Sequence, residues 1–183
     1  MSILLRFDGV TLRRGGRLVF EGMTLELRPG DALQVRGPNG SGKSSLLRLG
    51  AGLLRAERGK VERGHAALAD DHVALDSELP LGRALGFWAA DTNAAMDALG
   101  LAHLVDVPVR WLSSGQSKRA TLARVAASGA PLWLLDEPMN ALDADGAQRL
   151  TALIDRHRSN GGAVLAASHQ PLAGEWRILE LGA

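Results

Sequence analysis

The most informative segment of the chain reads Gly37-Pro38-Asn39-Gly40-Ser41-Gly42-Lys43-Ser44. It matches the pattern G-x-x-x-x-G-K-[ST], in which glycines let the backbone wrap a phosphate group with its N–H groups turned inward. An apolar, β-prone stretch at residues 32–35 precedes it, and a leucine-rich stretch typical of a buried helix follows at residues 44–54. A strand, a glycine loop and a helix in this order predict a phosphate-binding α/β fold.

Two side chains of this loop have specific expected roles. Lys43 is placed to reach the β- and γ-phosphates of a nucleotide, and the Ser44 hydroxyl is placed to bind Mg²⁺. The N-terminus of the following helix adds partial positive charge at the same position. We therefore expect all eight residues of the motif, together with Ser45, to bind the nucleotide. A glycine-rich turn with an incidental lysine is the alternative, and it leaves the flanking strand and helix unexplained.

A second motif, Leu132-Trp133-Leu134-Leu135-Asp136-Glu137, is an apolar strand that ends in two carboxylates. A buried strand of an α/β sheet delivers such residues to its carboxyl end, where these sheets bind ligands. We expect Asp136 to hold Mg²⁺ through water, and Glu137 to accept a proton from an attacking water molecule. A solvated pair of acids at a strand end is the alternative interpretation.

The remaining pattern predicts a mixed α/β chain. The first thirty residues are expected to be antiparallel, the middle helical, and the last third an alternation of strands and helices that implies a parallel sheet. We expect turns at Gly15-Gly16 and at residues 29–31. Strands are predicted at residues 3–7, 23–28, 32–35, 132–135, 163–167 and 177–181, and helices at residues 44–54, 81–90, 94–104, 113–127 and 145–158.

Composition excludes several classes of function. The chain has no cysteine, so it forms neither disulfides nor thiolate metal sites. Its apolar runs, such as residues 131–135, are far shorter than the ~20 residues that span a bilayer, and residues 1–8 lack a secretion signal. A net charge of +1 provides no field that attracts nucleic acid. We expect a chain that binds no nucleic acid and reaches a membrane only through a partner.

Three further motifs carry a resemblance to the ABC ATPases. Leu112-Ser113-Ser114-Gly115-Gln116 resembles their LSGGQ signature, Ala141-Leu142-Asp143 their D-loop, and Ser168-His169 their switch histidine. The resemblance implies the P-loop NTPase ABC ATPase fold, a mixed and mainly parallel sheet with an N-terminal antiparallel β part and a small helical lobe. It implies one ATP-binding domain over residues 1–183, with the helical lobe at about residues 73–127 inserted in a RecA-like core.

The same resemblance implies a mechanism and a second copy of the chain. In this family two subunits close head to tail on two ATP molecules, each bound with Mg²⁺. Ser114, Gly115 and Gln116 would then contact the γ-phosphate held by the opposite subunit, and His169 would act beside Glu137 in hydrolysis. The expected activity is that of an ATPase, which converts ATP and water to ADP and phosphate.

A narrower resemblance concerns the ATP-binding subunits of cytochrome c maturation, the CcmA family. It rests on residues 109–116, 130–138 and 168–172, and on Ser45-Leu46-Leu47-Arg48-Leu49. It implies a homodimer at the cytoplasmic face of the bacterial inner membrane, under a CcmB-like integral membrane subunit and together with CcmC- and CcmD-like subunits. The complex would serve c-type cytochrome biogenesis by haem export or by release of haem from its periplasmic carrier.

Two positions depart from the family pattern. Arg14 stands where many ABC ATPases stack an aromatic side chain on adenine, and the chain has no tyrosine; a stacking guanidinium and an exposed turn arginine are both open. His72 occupies the place of the metal-contacting Q-loop glutamine, as a substitute metal ligand or as an ordinary surface histidine. Phe87-Trp88 is expected to pack in the core, and a groove for a membrane partner is the alternative.

Other functions remain open at this point. The chain would also suit another small ABC transporter, or a soluble ABC ATPase that acts on DNA or ribosomes. A P-loop kinase would use the same phosphate loop without the signature or D-loop motifs. A slow regulatory subunit would account for Arg14 and His72.

Overall fold

Two β-sheets and five α-helices form the part of the chain that the computed structural model describes, residues 3–70, 75–89 and 91–182. The strands are β1 Leu5–Arg14, β2 Arg17–Leu27, β3 Ala32–Arg36, β4 Arg58–Arg63, β5 Ala66–Ala69, β6 Leu132–Asp136, β7 Ala163–Ala167 and β8 Arg177–Glu180. The helices are α1 Lys43–Gly50, α2 Leu81–Gly86, α3 Asn93–Ala98, α4 Ser114–Ala127 and α5 Ala144–Ser159, with 3₁₀ turns at Ala102–Leu104 and Val109–Trp111.

The larger sheet is parallel and has the strand order β5-β6-β7-β3-β8. Every residue of β6 and β7 is buried, as expected for a parallel sheet that is covered on both faces. Leu132 and Leu134 pack with α1 on one face, whereas Trp133 and Leu135 pack with α4 and α5 on the other. The sheet therefore separates two hydrophobic cores and brings the carboxyl ends of β3, β6 and β7 to one edge.

The smaller sheet is antiparallel and has the order β2-β1-β4. The predicted turn at Gly15-Gly16 is confirmed, with φ angles of 55° and 78°. Two consecutive positive φ values suit a two-residue hairpin turn, and glycine adopts them without strain. Strands β4 and β5 were not predicted. The first is polar, with Val61 as its partly buried apolar residue, and the second is a short run rich in alanine.

Several predicted boundaries are wrong, and glycines account for two of them. The first helix ends at Gly50 rather than Leu54, because Gly52 turns the chain with a φ of 77°. The helix predicted at residues 94–104 is divided at Gly100, which has a φ of 66°. The helix predicted at residues 81–90 ends at Gly86, and residue 90 lies outside the described residues. The strand predicted at residues 3–7 starts at Leu5 and continues to Arg14.

Helices α2, α3 and α4 lie between β5 and β6 in the chain and pack on the same core cluster. The predicted helix at residues 113–127 and the predicted edge strand at residues 177–181 both form, as α4 and β8. Within the described residues, no helix is both long enough and apolar enough to cross a membrane.

An aromatic pair joins the parallel sheet to α5. The rings of Trp133 and His157 stack with centroids 3.7 Å apart and planes 10° from parallel. The His157 Nε2 atom lies 3.2 Å from the carbonyl oxygen of Pro131. Burial lowers the pKa of His157 below its usual value, so the neutral ring is favoured in the folded chain.

This pair predicts a pH-dependent stability. The unfolded chain binds a proton at His157 more readily than the folded chain, so the contribution of the neutral ring is present above about pH 6.5 and is lost as the pH falls below it. We expect the urea midpoint of the wild type to fall more steeply between pH 7.5 and pH 5.5 than that of His157→Phe. Replacing the exposed His103 by glutamine should leave the steeper dependence in place. Equal slopes in the wild type and His157→Phe would contradict the assignment.

Candidate functional site

The phosphate-loop segment lies between the carboxyl end of β3 and the start of α1, as its motif predicts. Two of its glycines are required by close contacts. A Cβ atom at Gly37 would lie 2.4 Å from the carbonyl oxygen of Leu181, and one at Gly42 would lie 2.3 Å from Val19 Cγ1. Both glycines also have positive φ angles, so a larger residue would be strained as well as crowded.

Lys43 is buried at the centre of this loop. Its Nζ atom donates hydrogen bonds to the carbonyl oxygens of Gly37, at 2.8 Å, and Pro38, at 3.1 Å. The loop therefore holds the ammonium group against its own backbone, at the place where a bound phosphate needs a positive charge.

One open cavity of about 750 Å³ brings the phosphate loop and the two acids together. This volume lies within the range of small-molecule sites. Predicted site residues line one side of it, and the hairpin β1–β2 lines the other. The lining residues are Arg14, Gly15, Arg17, Leu18, Val19, Asn39, Gly40, Ser41, Gly42, Lys43, Ser44, Ser45, Asp136, Glu137 and Gly182.

The two acids sit where the buried strand β6 ends. Asp136 is its last residue and is buried, and its carbonyl oxygen accepts a hydrogen bond from Lys118 Nζ at 3.0 Å. Glu137 has a φ of 43°, an unusual conformation for a residue with a side chain. Its backbone N–H donates to Ala167 on β7 at 2.8 Å. Such strained positions are often found at functional sites.

His169 lies beside Glu137 because β6 and β7 are neighbours in the sheet. The His169 Nδ1 atom is 3.0 Å from Glu137 Oε2, with 52% of the histidine side chain and 19% of the glutamate side chain exposed. The structure thus brings together the two residues that were predicted to act in hydrolysis. A carboxylate that an imidazole holds at hydrogen-bond distance keeps a fixed orientation, which suits a base that accepts a proton from a nearby water molecule.

Oxygen ligands for Mg²⁺ are present in the same cavity. Ser44 and Asp136 both line it, and their side chains carry oxygen atoms, the ligands that Mg²⁺ prefers. Among the described residues, no group of three or more histidine, cysteine or acidic side chains could hold a metal alone. The donor set therefore fits an ion that takes its other ligands from water and from phosphate oxygens. His72, the third predicted metal ligand, lies outside the described residues.

The signature residues begin helix α4 and form a capping box. Ser113 Oγ accepts from the Gln116 N–H at 3.2 Å, and Gln116 Oε1 accepts from the Ser113 N–H at 2.8 Å. The side chain of Gln116 is thus occupied in the helix cap. Gly115 packs against the D-loop, where a Cβ atom would lie 2.8 Å from the carbonyl oxygen of Ala141.

The signature and D-loop residues line a cavity of about 300 Å³ of their own. None of its lining residues belongs to the larger cavity. Within one chain, the structure therefore does not bring Ser114, Gly115 and Gln116 to the phosphate loop. A helix N-terminus with exposed serine and a close-packed glycine remains suited to an anion that arrives from outside.

The sequence motifs cover only part of the cavity lining, and the prediction for the surface at Phe87-Trp88 is wrong. Arg17, Leu18, Val19 and Gly182 belong to no motif, although Arg17 could have been found as the hairpin partner of Arg14. The preferred interpretation of Phe87-Trp88 as core residues is wrong. Phe87 is 83% exposed and Trp88 is 41% exposed, because α2 ends before them at Gly86.

Known proteins resemble this chain over most of its length. A family model described as ABC transporter matches residues 20–140. The chain is 59% identical over 181 residues to the cytochrome c biogenesis ATP-binding export protein CcmA of Sphingopyxis alaskensis, with 94% of this chain and 93% of the relative covered. It is 53% identical over 167 residues to the protein of that name from Novosphingobium aromaticivorans, with 90% and 87% covered.

A solved structure supports the fold. The chain superposes with a TM-score of 0.86 on a bacterial Atm1-family ABC exporter with ATP bound, at 21% identity. The match covers 97% of this chain and spans 36% of the exporter chain. At this identity the likeness concerns the fold alone.

The contact between Gly115 and Ala141 predicts an effect on stability. A methyl group at Gly115 would have to displace backbone rather than a flexible side chain, so we expect Gly115→Ala to lower the free energy of unfolding by about 1–3 kcal/mol. Gly86→Ala is the matched control, because its Cβ atom would meet no atom within 4 Å and the change favours helix. Urea denaturation of both variants tests this, and equal midpoints would contradict the contact.

Proposed function

This chain belongs to the ABC transporter family, as an ATP-binding subunit of the cytochrome c biogenesis type, and we propose that two copies close head to tail on ATP to energise a membrane partner. The observation that carries the proposal is the division of the site between two cavities. Phosphate loop, acids and His169 meet at one edge of the sheet, whereas the signature residues line a separate cavity of the same chain. A second copy would supply the missing half.

The phosphate loop would bind the triphosphate. Backbone N–H groups of residues 39–44 and the N-terminus of α1 would surround the β-phosphate, and Lys43 would turn from Gly37 and Pro38 to the β- and γ-phosphates. Ser44 and Asp136 would hold Mg²⁺, with His72 as a further ligand. When bound, Mg²⁺ neutralises the charge that develops on the phosphate oxygens.

Glu137 would accept the proton of the attacking water. As the water oxygen bonds to the γ-phosphorus, the bond from that phosphorus to the bridging oxygen breaks, and ADP and phosphate result. His169 would hold the Glu137 carboxylate in position through Nδ1 and would reach the γ-phosphate with the rest of the ring. The rigid ends of β6 and β7 support both groups, which favours catalysis by positioning.

The second copy would contribute its signature helix. The N–H groups of Ser114 and Gly115, with the helix dipole, would face the γ-phosphate across the interface, and Gln116 would keep the loop in shape through the capping box. Closure of the dimer would then depend on ATP, because its γ-phosphate would neutralise positive charge on the facing surfaces of both subunits. Loss of the γ-phosphate would remove the attraction and open the dimer.

An export ATPase implies a membrane partner, and the identity of that partner is part of the proposal. We assign a CcmB-like subunit to it, with CcmC- and CcmD-like subunits in the complex, at the cytoplasmic face of the bacterial inner membrane. Haem export or haem release is the process served, by analogy with the relatives named for export. Residues 1–183 would act as one domain, with about 73–127 as the helical lobe. Its exposed Phe87 and Trp88 would contact the membrane subunit.

A base role for Glu137 predicts a separation of binding from turnover. We expect Glu137→Gln to retain ATP binding and to lower the hydrolysis rate by about 10²–10⁴-fold, the usual contribution of a general base. Lys43→Ala should instead weaken ATP binding itself. The measurement is phosphate release by the purified chain, alone and with the CcmB-like subunit, beside equilibrium ATP binding.

The exposed Glu175 provides the matched control for this charge change. Glu175→Gln should hydrolyse ATP at the wild-type rate. If Glu137→Gln also turned over like the wild type, Glu137 would not be the base. If the wild type bound ATP without hydrolysis, even with the membrane subunit, the regulatory interpretation would replace the proposed one.

A further inference from the structure

A glutamine lies in the middle of the parallel sheet, where its neighbours are apolar. Gln34 is on β3, between Leu33 and Val35, and it is fully buried. Burying a side-chain amide costs free energy unless its polar atoms are hydrogen-bonded, and an apolar residue would occupy the same place in the core without that cost. The partners of this amide therefore indicate its role.

The Gln34 amide binds the loop that follows β7. Its Nε2 atom donates to the carbonyl oxygen of Gln170 at 2.6 Å and, over a longer distance of 3.5 Å, to that of Ser168. Its Oε1 atom accepts from the backbone N–H of Leu172 at 3.4 Å. Carbonyl oxygens only accept and N–H groups only donate, so these partners fix which end of the amide carries the oxygen. One side chain thus contacts the backbone on both sides of His169.

The strand ladder does not extend into this loop. Beyond β7, the Ser168 N–H still donates to Val35 at 3.1 Å. Within the described part of the chain, residues 169–172 make no hydrogen bond from backbone to backbone. The Ser168 hydroxyl donates to the Gln170 carbonyl at 3.0 Å and accepts from the Gln170 N–H at 3.2 Å, which closes the turn locally. Gln34 therefore provides the hydrogen bonds that attach this turn to β3.

The course of this loop determines where the His169 ring lies. The His169 Nδ1 atom is 3.0 Å from Glu137 Oε2, and about half of the histidine side chain is exposed, so packing restrains it little. A shift of the backbone on either side of His169 would move the imidazole relative to the carboxylate. A misplacement of about 1 Å can lower a catalytic rate by about 10²-fold. The rate of hydrolysis should therefore depend on the hydrogen bonds that hold the loop.

We propose that Gln34 is a positioning residue for ATP hydrolysis, which holds the loop of residues 168–172 so that His169 meets Glu137. The inference rests on the proposed function, since it needs His169 to act beside Glu137. Gln34 also accepts from Arg36 Nη2 at 2.9 Å, and Arg36 directly precedes the phosphate loop. Loss of the contact with the histidine loop would lower turnover, whereas an effect through Arg36 would appear in ATP binding.

The first test uses Gln34→Met, which keeps the length of the side chain and removes the amide. We expect kcat for ATP hydrolysis with the membrane subunit to fall by about tenfold and KM for ATP to change by less than about twofold. In the His169→Ala background, the same change should lower kcat by less than about twofold, because both changes act through one group. An unchanged kcat, an equal loss in both backgrounds, or a rise in KM alone would overturn the proposal.

Hydrogen exchange provides a second measurement that does not depend on activity. The Leu172 N–H should exchange about tenfold faster in Gln34→Met than in the wild type, with exchange in β6 and β7 unchanged. Thr11→Val is the matched control, because it removes a hydrogen bond between a buried side chain and the Gly22 N–H, at 3.2 Å, in the other sheet. This control should keep the wild-type kcat and the wild-type exchange of Leu172. Equal exchange of Leu172 in Gln34→Met and the wild type would overturn the proposal.

A second variant keeps the test decisive if Gln34→Met does not fold. Gln34→Glu keeps the length of the side chain and an acceptor for Arg36, but it turns an oxygen toward the Gln170 carbonyl in place of the amide donor. We expect the same fall in kcat, and urea denaturation shows whether each variant is folded. A wild-type kcat in Gln34→Glu would overturn the proposal. A wild type that hydrolyses no ATP would instead contradict the proposed function, and the exchange of Leu172 would still decide whether Gln34 holds the loop.

Discussion

The hydrogen-bond register between β6 and β7 is the constraint on which the hydrolytic half of the site depends. Asp136 pairs with Ala167, and the next backbone N–H, that of Glu137, donates to the carbonyl oxygen of Ala167. His169 follows only two residues later, so its ring meets the Glu137 carboxylate. Both strands are buried on each face, and a shift of register by one residue would exchange the side chains of the two cores, so that Trp133 would have to fit where the smaller Leu132 and Leu134 now pack. Core packing and the position of the acids are therefore set by the same hydrogen bonds.

Two cations fasten the signature helix to this sheet. From α4, Lys118 donates to the Asp136 carbonyl at the end of β6, and Arg124 donates to the Leu68 carbonyl on β5. Arg124 is buried, its guanidinium lies 4.7 Å from the Trp88 ring, and burial lowers its pKa despite the nearby Asp70. When α4 moves, it either breaks these hydrogen bonds or moves β5 and the end of β6 with it. The exposed Trp88 is thereby connected to the helix that begins with Ser114.

Much of the fold and most of the site residues could be predicted from the sequence, because their signals are local. The glycine loop, the apolar strand before Asp136 and the serine cap of α4 each have a pattern of residue types that physical chemistry explains. Strand β4 has no such pattern, since its polar residues are held by pairing with β1 rather than by burial. The wall formed by Arg14 and Arg17 depends on how the hairpin packs on Gly42, a contact between distant parts of the chain. Turn glycines such as Gly100 end helices that periodicity alone predicts to be longer.

The placement of the four tryptophans makes the chain its own optical reporter. With no tyrosine in the sequence, ultraviolet fluorescence comes from these indoles with little background. Trp133 is shielded in the sheet by its stacked imidazole, three residues before Asp136. Trp111 is 69% exposed and immediately precedes the signature residues. Because Trp111 is the most exposed of the four indoles, the fraction of the emission that a soluble quencher removes most readily reports on the surroundings of that loop, without an attached dye.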